Sequence, residues 1–120
     1  NAFKEGCSFV KEMDDALTNI NYTMSVTKEQ LQEVANKTID MAKDLKTSTS
    51  NVMEAVTLYA NSQQTTDSIL KKSETAVKLS NVTGMTGEES AEMLQSIMNQ
   101  FQMTEDDLEY IFDKITKKKI

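Results

Sequence analysis

Four stretches of this chain hold residue types that could do chemistry. Gly84-Met85-Thr86-Gly87 has the glycines of a loop that lets a backbone approach a phosphate. Glu105, Asp106, Asp107 and Glu109 gather carboxylates as a cation site would, Cys7 is a thiol, and Lys117-Lys118-Lys119 is a short basic run. Each chemistry has a spacing requirement. A P-loop needs Lys-Ser/Thr directly after its last glycine, and here Glu88 and Glu89 follow Gly87. A loop that clamps single-stranded nucleic acid needs basic flanks. Two carboxylates at a helix start repel phosphate and suit the positive end of the helix dipole. A calcium loop spreads its ligands over about twelve residues around a glycine, which residues 105–109 lack. Acid at the start of the last helical pattern, with Lys114, Lys117, Lys118 and Lys119 at its end, complements the dipole instead. No catalytic, cofactor-binding or metal-ligating residue is expected.

Composition points the same way. The 120 residues carry a net charge of −6, all 13 basic residues are lysines, and there is no histidine. The commonest general base and metal ligand is therefore missing, as is the side chain that grips phosphate and guanine in bidentate fashion. A basic stripe for nucleic acid is absent, so no specific nucleic-acid contact is expected. The single cysteine can form neither an internal disulfide nor a multi-thiolate zinc site, and it falls on an apolar stripe, as a buried, inert thiol would. No run approaches the roughly 20 apolar residues of a membrane span. Asn21, Asn36 and Asn81 each open an Asn-x-Thr triplet, but Asn36 falls within a helical pattern and no secretion signal is visible.

These residues must be held by helices. There is no proline, period-2 alternation is scarce, and spacing near 3.6 residues recurs. The pattern predicts an all-α, compact multi-helix domain of five or six short to medium helices, a single domain over 1–120. Phe3, Cys7, Val10, Met13, Leu17 and Ile20 mark a first stripe. Thr27 and Gln30 form a capping box, flanked by Val26 and Leu31 in staple positions. Leu31, Val34, Ala35, Ile39, Ala42 and Leu45 then mark a buried face. A third helix starts in Ser48-Thr49-Ser50-Asn51 and buries Val52, Ala55, Val56, Tyr59 and Ala60.

After the polar break of residues 61–66, with Thr65 or Thr66 as the next cap, a fourth helix uses Ile69, Leu70, Ala76, Val77 and Leu79. Gly84 then stands where a left-handed residue ends a helix. Thr86 and Glu89 cap a fifth, whose stripe is Ala91, Leu94, Ile97, Met98 and Phe101. Thr104 and Asp107 repeat the device, with Met103 and Leu108 as staples. The two glycines are helix punctuation. Asn1 in place of an initiator methionine, with a helical pattern already running by Phe3, leads us to expect a fragment of a longer chain.

The order of these pieces resembles the core region of phage tail tape measure proteins. The resemblance covers about residues 16–103. It rests on Leu17 to Tyr22 before a Thr-led helix, Ala42-Lys43-Asp44-Leu45 before a Ser/Thr cluster, Tyr59-Ala60-Asn61, Leu79-Ser80-Asn81-Val82-Thr83-Gly84 and Asn99-Gln100-Phe101. The chain departs from the pattern at Asn61-Ser62, where many relatives carry a glycine. The resemblance implies a non-enzymatic structural protein, of a phage or prophage, that sets tail length during assembly. Its implied partners are tail tube subunits, assembly chaperones and tail-tip proteins, with a homo-oligomer in the tail among the implied assemblies. The implied location is the virion tail, after synthesis in the bacterial host cytoplasm. The rival reading is a helical protein-binding module of a cytosolic signalling or secretion complex, its groove lined by the methionines, of which the sequence has eight.

Overall fold

Threonine hydroxyls set most helix starts among the described residues. The computed structural model describes Asp15, residues 27–60 and residues 65–117. Within these bounds the order is α1 (Lys28–Asp44), α2 (Thr49–Ala60), α3 (Thr66–Thr83), α4 (Gly87–Gln100), a 3₁₀ turn (Glu105–Asp107) and α5 (Leu108–Lys117). Among the described residues there is no strand, and the fold is all-α. The stripe from Phe3 to Ile20, the Cys7 thiol, Val26, the Leu31 side chain and residues 61–64 lie outside the described set.

α2 is apolar around most of its circumference, which is the mark of a buried helix. Val52, Ala55, Val56, Tyr59 and Ala60 are all fully buried, and α1, α3 and α4 pack around it. Ile69, Ala76, Val77 and Leu79 of α3 and Ala91 and Leu94 of α4 complete the centre of the core, each with no exposed surface. α5 lies on α3 and adds Leu108 and Ile111 to the same cluster. The radius of gyration is 14.2 Å, close to the roughly 14 Å that size scaling gives for a compact domain of this length.

Two elements of the expected pattern fall differently. On α1, Val34, Ala35 and Ala42 are buried as expected, but between them Thr38 is fully buried while Ile39 is only half-buried. Phe101 does not continue the α4 stripe: it is 61% exposed. The helix ends at Gln100, and Phe101 caps it at φ −103°, so the 3.6-residue period stops one position early.

Helix ends at Leu45 and Phe101 use a device that the sequence hides. Lys46 (φ 55°) and Gln102 (φ 53°) both take the left-handed conformation that usually calls for glycine. After each, the chain closes a Schellman motif. Thr47 N–H donates to the Ala42 carbonyl at 3.0 Å, and Met103 N–H donates to the Met98 carbonyl at 2.8 Å. Gly84, at φ 81°, instead makes the simpler ending, its N–H donating to the Ser80 carbonyl at 2.9 Å. A non-glycine residue held left-handed costs about 1–2 kcal/mol. Gln102→Gly should therefore raise stability by about 1 kcal/mol, read as an upward shift in the denaturation midpoint at unchanged slope. A fall in the midpoint would mean that the Gln102 side chain contributes more than its backbone costs.

Candidate functional site

The cap residues singled out from spacing sit at helix starts. Thr27 Oγ1 accepts from Gln30 N–H at 3.1 Å, and Gln30 Oε1 accepts from Thr27 N–H at 2.9 Å. Thr86 Oγ1 and Glu89 Oε1 make the same reciprocal pair at 3.1 and 2.9 Å. At Thr104 the box closes on a 3₁₀ turn: Oγ1 accepts from Asp106 N–H at 3.3 Å, and Asp107 Oδ2 accepts from Thr104 N–H at 2.9 Å. Ser48 Oγ and Thr65 Oγ1 cap α2 and α3. Every one of these side chains is turned onto its own backbone.

The residue that joins the helices is Asn51, near the start of α2. Its Nδ2 donates to Thr47 Oγ1 and to Ser80 Oγ, both at 3.1 Å. Its Oδ1 accepts from Gly87 N–H at 2.7 Å. The Ser80 hydroxyl in turn donates to the Met85 carbonyl at 2.6 Å, and Asn81 Nδ2 donates to the Leu45 carbonyl at 2.7 Å. One carboxamide thus ties the α1–α2 loop, the end of α3 and the start of α4 together.

Gly87 is shaped by this junction. A Cβ at Gly87 would overlap the Asn51 carbonyl oxygen, a backbone atom that cannot swing away. Its neighbour Glu88 gives its N–H to Glu54 Oε1 at 3.2 Å. The free amides of the α4 N-terminus are therefore taken by Asn51, Glu54 and the Thr86 cap, and no phosphate is needed to satisfy them.

Tyr59 forms a second tie. Its hydroxyl, fully buried, donates to the Ala91 carbonyl at 3.1 Å, and burial pushes its pKa well above the usual tyrosine value. Lys72 Nζ lies 5.8 Å from the centre of the Tyr59 ring. Burial lowers the Lys72 pKa, and the Glu105 carboxylate opposes that shift.

The described helices also form surface grooves. One, of about 310 Å³, runs between α1 and α3, with Met41, Leu45 and Leu70 among Asp40, Asp44 and Asp67. Another, of about 530 Å³, is more open and is lined by Lys72, Gln95, Met98, Met103 and Glu105 among others. Among the described methionines, Met53 and Met98 are almost wholly buried, Met41 lies in the first groove, and Met98 and Met103 border the second. Among the described residues no group of three or more His, Cys, Asp or Glu side chains could hold a metal ion. No described helix is long and apolar enough to cross a membrane.

The junction predicts two effects. Asn51→Ala removes three hydrogen bonds and should cost about 2 kcal/mol, while Asn51→Asp, which keeps the acceptor for Gly87, should cost less. Gly87→Ala should cost about 3 kcal/mol despite the better helix propensity of alanine, because the overlap is with backbone. Equal stability of Gly87→Ala and the parent chain in urea would refute the close approach. Tyr59 sets an alkaline limit. Because the folded pKa is raised, the stability it lends is fully present below about pH 10 and is lost as pH rises towards the folded value. Tyr59→Phe should cost about 1 kcal/mol at neutral pH and flatten the fall in melting temperature above about pH 10. An unchanged alkaline slope would show that the phenol is not held neutral by burial.

Comparison with known proteins is consistent with a scaffold of this kind. No curated protein and no solved structure matches the chain. A family model, described as phage-related minor tail protein, matches residues 35–118. The matched stretch takes in α5 and so reaches beyond the 16–103 core drawn from the sequence pattern. Covering more than half of the sequence, it shows that this chain belongs to the phage-related minor tail protein family.

Proposed function

We propose that this domain is a folded, contact-making segment of a tail tape measure protein, acting in tail assembly and length determination without catalysing a reaction. The family match over residues 35–118 carries the reading. The order of sequence pieces from Leu17 to Phe101 adds the tape measure assignment within that family. The partners on this reading are tube subunits, assembly chaperones and tip proteins, and the domain travels from the host cytoplasm into the virion tail.

Folded form matters to how such a segment would work. A continuous helix of 120 residues would span about 180 Å at 1.5 Å per residue. The domain's longest extent is instead 42 Å. A segment bolted at Asn51 and Tyr59 acts as a docking body, contributing to assembly through its surface more than through its contour length.

Deleting residues 16–103 in the parent phage separates the two roles. The expected result is failed or aberrant assembly seen by electron microscopy. Normal, infectious tails shorter by about 130 Å would show that the segment measures as extended helix. Gly87→Ala supplies a second arm, since it loosens the fold at constant chain length. Tails of normal number and length from that variant, with the domain shown to be unfolded, would refute a docking role.

A further inference from the structure

The groove between α1 and α3 has an apolar floor and an acidic rim. Met41, Leu45 and Leu70 form the floor, and Asp40, Asp44, Asp67 and Glu74 stand on the rim. Its two lysines are engaged with carboxylates off the rim: Lys37 Nζ is 3.2 Å from Glu33, and Lys71 Nζ is 3.9 Å from Glu105. Glu74 is paired with Lys78 at 3.2 Å. Asp40, Asp44 and Asp67 form no ion pair among the described residues. Asp67 is in the first turn of α3, where the dipole favours it, but Asp44 is the last residue of α1, where the dipole opposes a carboxylate. A carboxylate set against the helix dipole, beside an apolar floor that no described residue fills, marks a surface suited to a partner more than to the stability of the monomer.

We propose that this groove seats the segment Lys117-Lys118-Lys119-Ile120 of a second copy of the chain. The occupant follows from charge. Two copies of net charge −6 repel each other unless a basic part of one meets an acidic part of the other. Lys117 to Lys119 is the only run of three lysines in the sequence, and the exposed Lys117 closes α5. Three ammonium groups followed by one branched apolar side chain match three unpaired carboxylates around Met41, Leu45 and Leu70. The contact joins different surfaces of the two copies, so each copy keeps one groove and one basic segment free. Such a head-to-tail contact propagates into a ring or a row. Charge pairs on an open rim are weak and screened by salt, so the dissociation constant should be on the order of 100 µM at low ionic strength.

Sedimentation of the 120-residue chain over a range of concentration tests this. The expected result is a mass that rises with concentration and an affinity that falls at least about tenfold between 50 and 500 mM salt, as for screened pairs. Asp40→Lys with Asp44→Lys should abolish association while leaving the melting temperature equal or higher. Lys117→Glu, Lys118→Glu and Lys119→Glu together should abolish it as well, and a chain carrying both sets of changes should associate again. A chain that stays monomeric at about 1 mM overturns the proposal, as does association indifferent to either reversal. A lowered melting temperature in Asp44→Lys would make that carboxylate structural and count against it. A monomer whose Met41 methyl resonance shifts when the lysines are reversed would place the segment in its own groove, which also refutes the contact between copies.

Discussion

The Asn51 carboxamide is the constraint on which the arrangement of helices depends. A buried or half-buried amide is stabilising only when its donors and acceptor all find partners, and an incomplete network is worse than an apolar one. Here the partners come from three separate parts of the chain: Thr47 before α2, Ser80 at the end of α3, and Gly87 at the start of α4. Satisfying all three fixes where α3 ends relative to α2 and how closely α4 starts. Gly87 is then glycine for lack of room, not for a special backbone angle. The contacts advance in the same direction along both helices, from Asn51 with Gly87, through Glu54 with Glu88, to Tyr59 with Ala91. α2 and α4 therefore run in the same general sense, pinned near both ends of α2, and the apolar side chains between the pins have one way to pack.

Local features of this fold were legible in the sequence and tertiary ones were not. A threonine followed three residues later by Gln, Glu or Asp names its own hydrogen-bond partner, so the starts at Thr27, Thr86 and Thr104 could be read from spacing alone. The apolar run of α2 likewise announces a helix buried on most sides. Asn51 offered no such sign. It reads as one more polar residue in a helix-start cluster, because its partners lie 29 and 36 positions away. Lys46 and Gln102 were hidden for a different reason: local backbone hydrogen bonds close each Schellman motif around a residue whose side chain disfavours the left-handed conformation, so the usual glycine is missing. Phe101 misled because periodicity does not say where a helix stops. The same gap separated Gly84 from Gly87, which look alike in the sequence and serve unlike needs.

What the surface offers follows from what the interior consumes. The hydroxyls, amides and carboxylates nearest the glycine loop are committed to helix ends, which leaves that loop nothing with which to bind a phosphate. Ion pairs such as Lys37 with Glu33 and Lys78 with Glu74 span a single helix turn and contribute little to stability. The groove between α1 and α3 differs from both, since Asp40, Asp44 and Asp67 on its rim form no ion pair among the described residues.

The absence of arginine has a consequence for a protein that works in a phage tail. DNA must pass along the tail during ejection, and on the tape measure reading this domain leaves the same channel. Affinity for duplex DNA grows with the number of phosphates neutralised, and arginine adds bidentate grip to that charge. A domain of net charge −6 without arginine has little with which to hold the passing backbone. Its one dense basic run would be masked while seated against Asp40, Asp44 and Asp67. Association between copies would then do two things at once, joining domains in a row and removing the densest lysine run from reach of phosphate. Screening works against both effects together, because salt weakens lysine contacts to carboxylate and to phosphate alike.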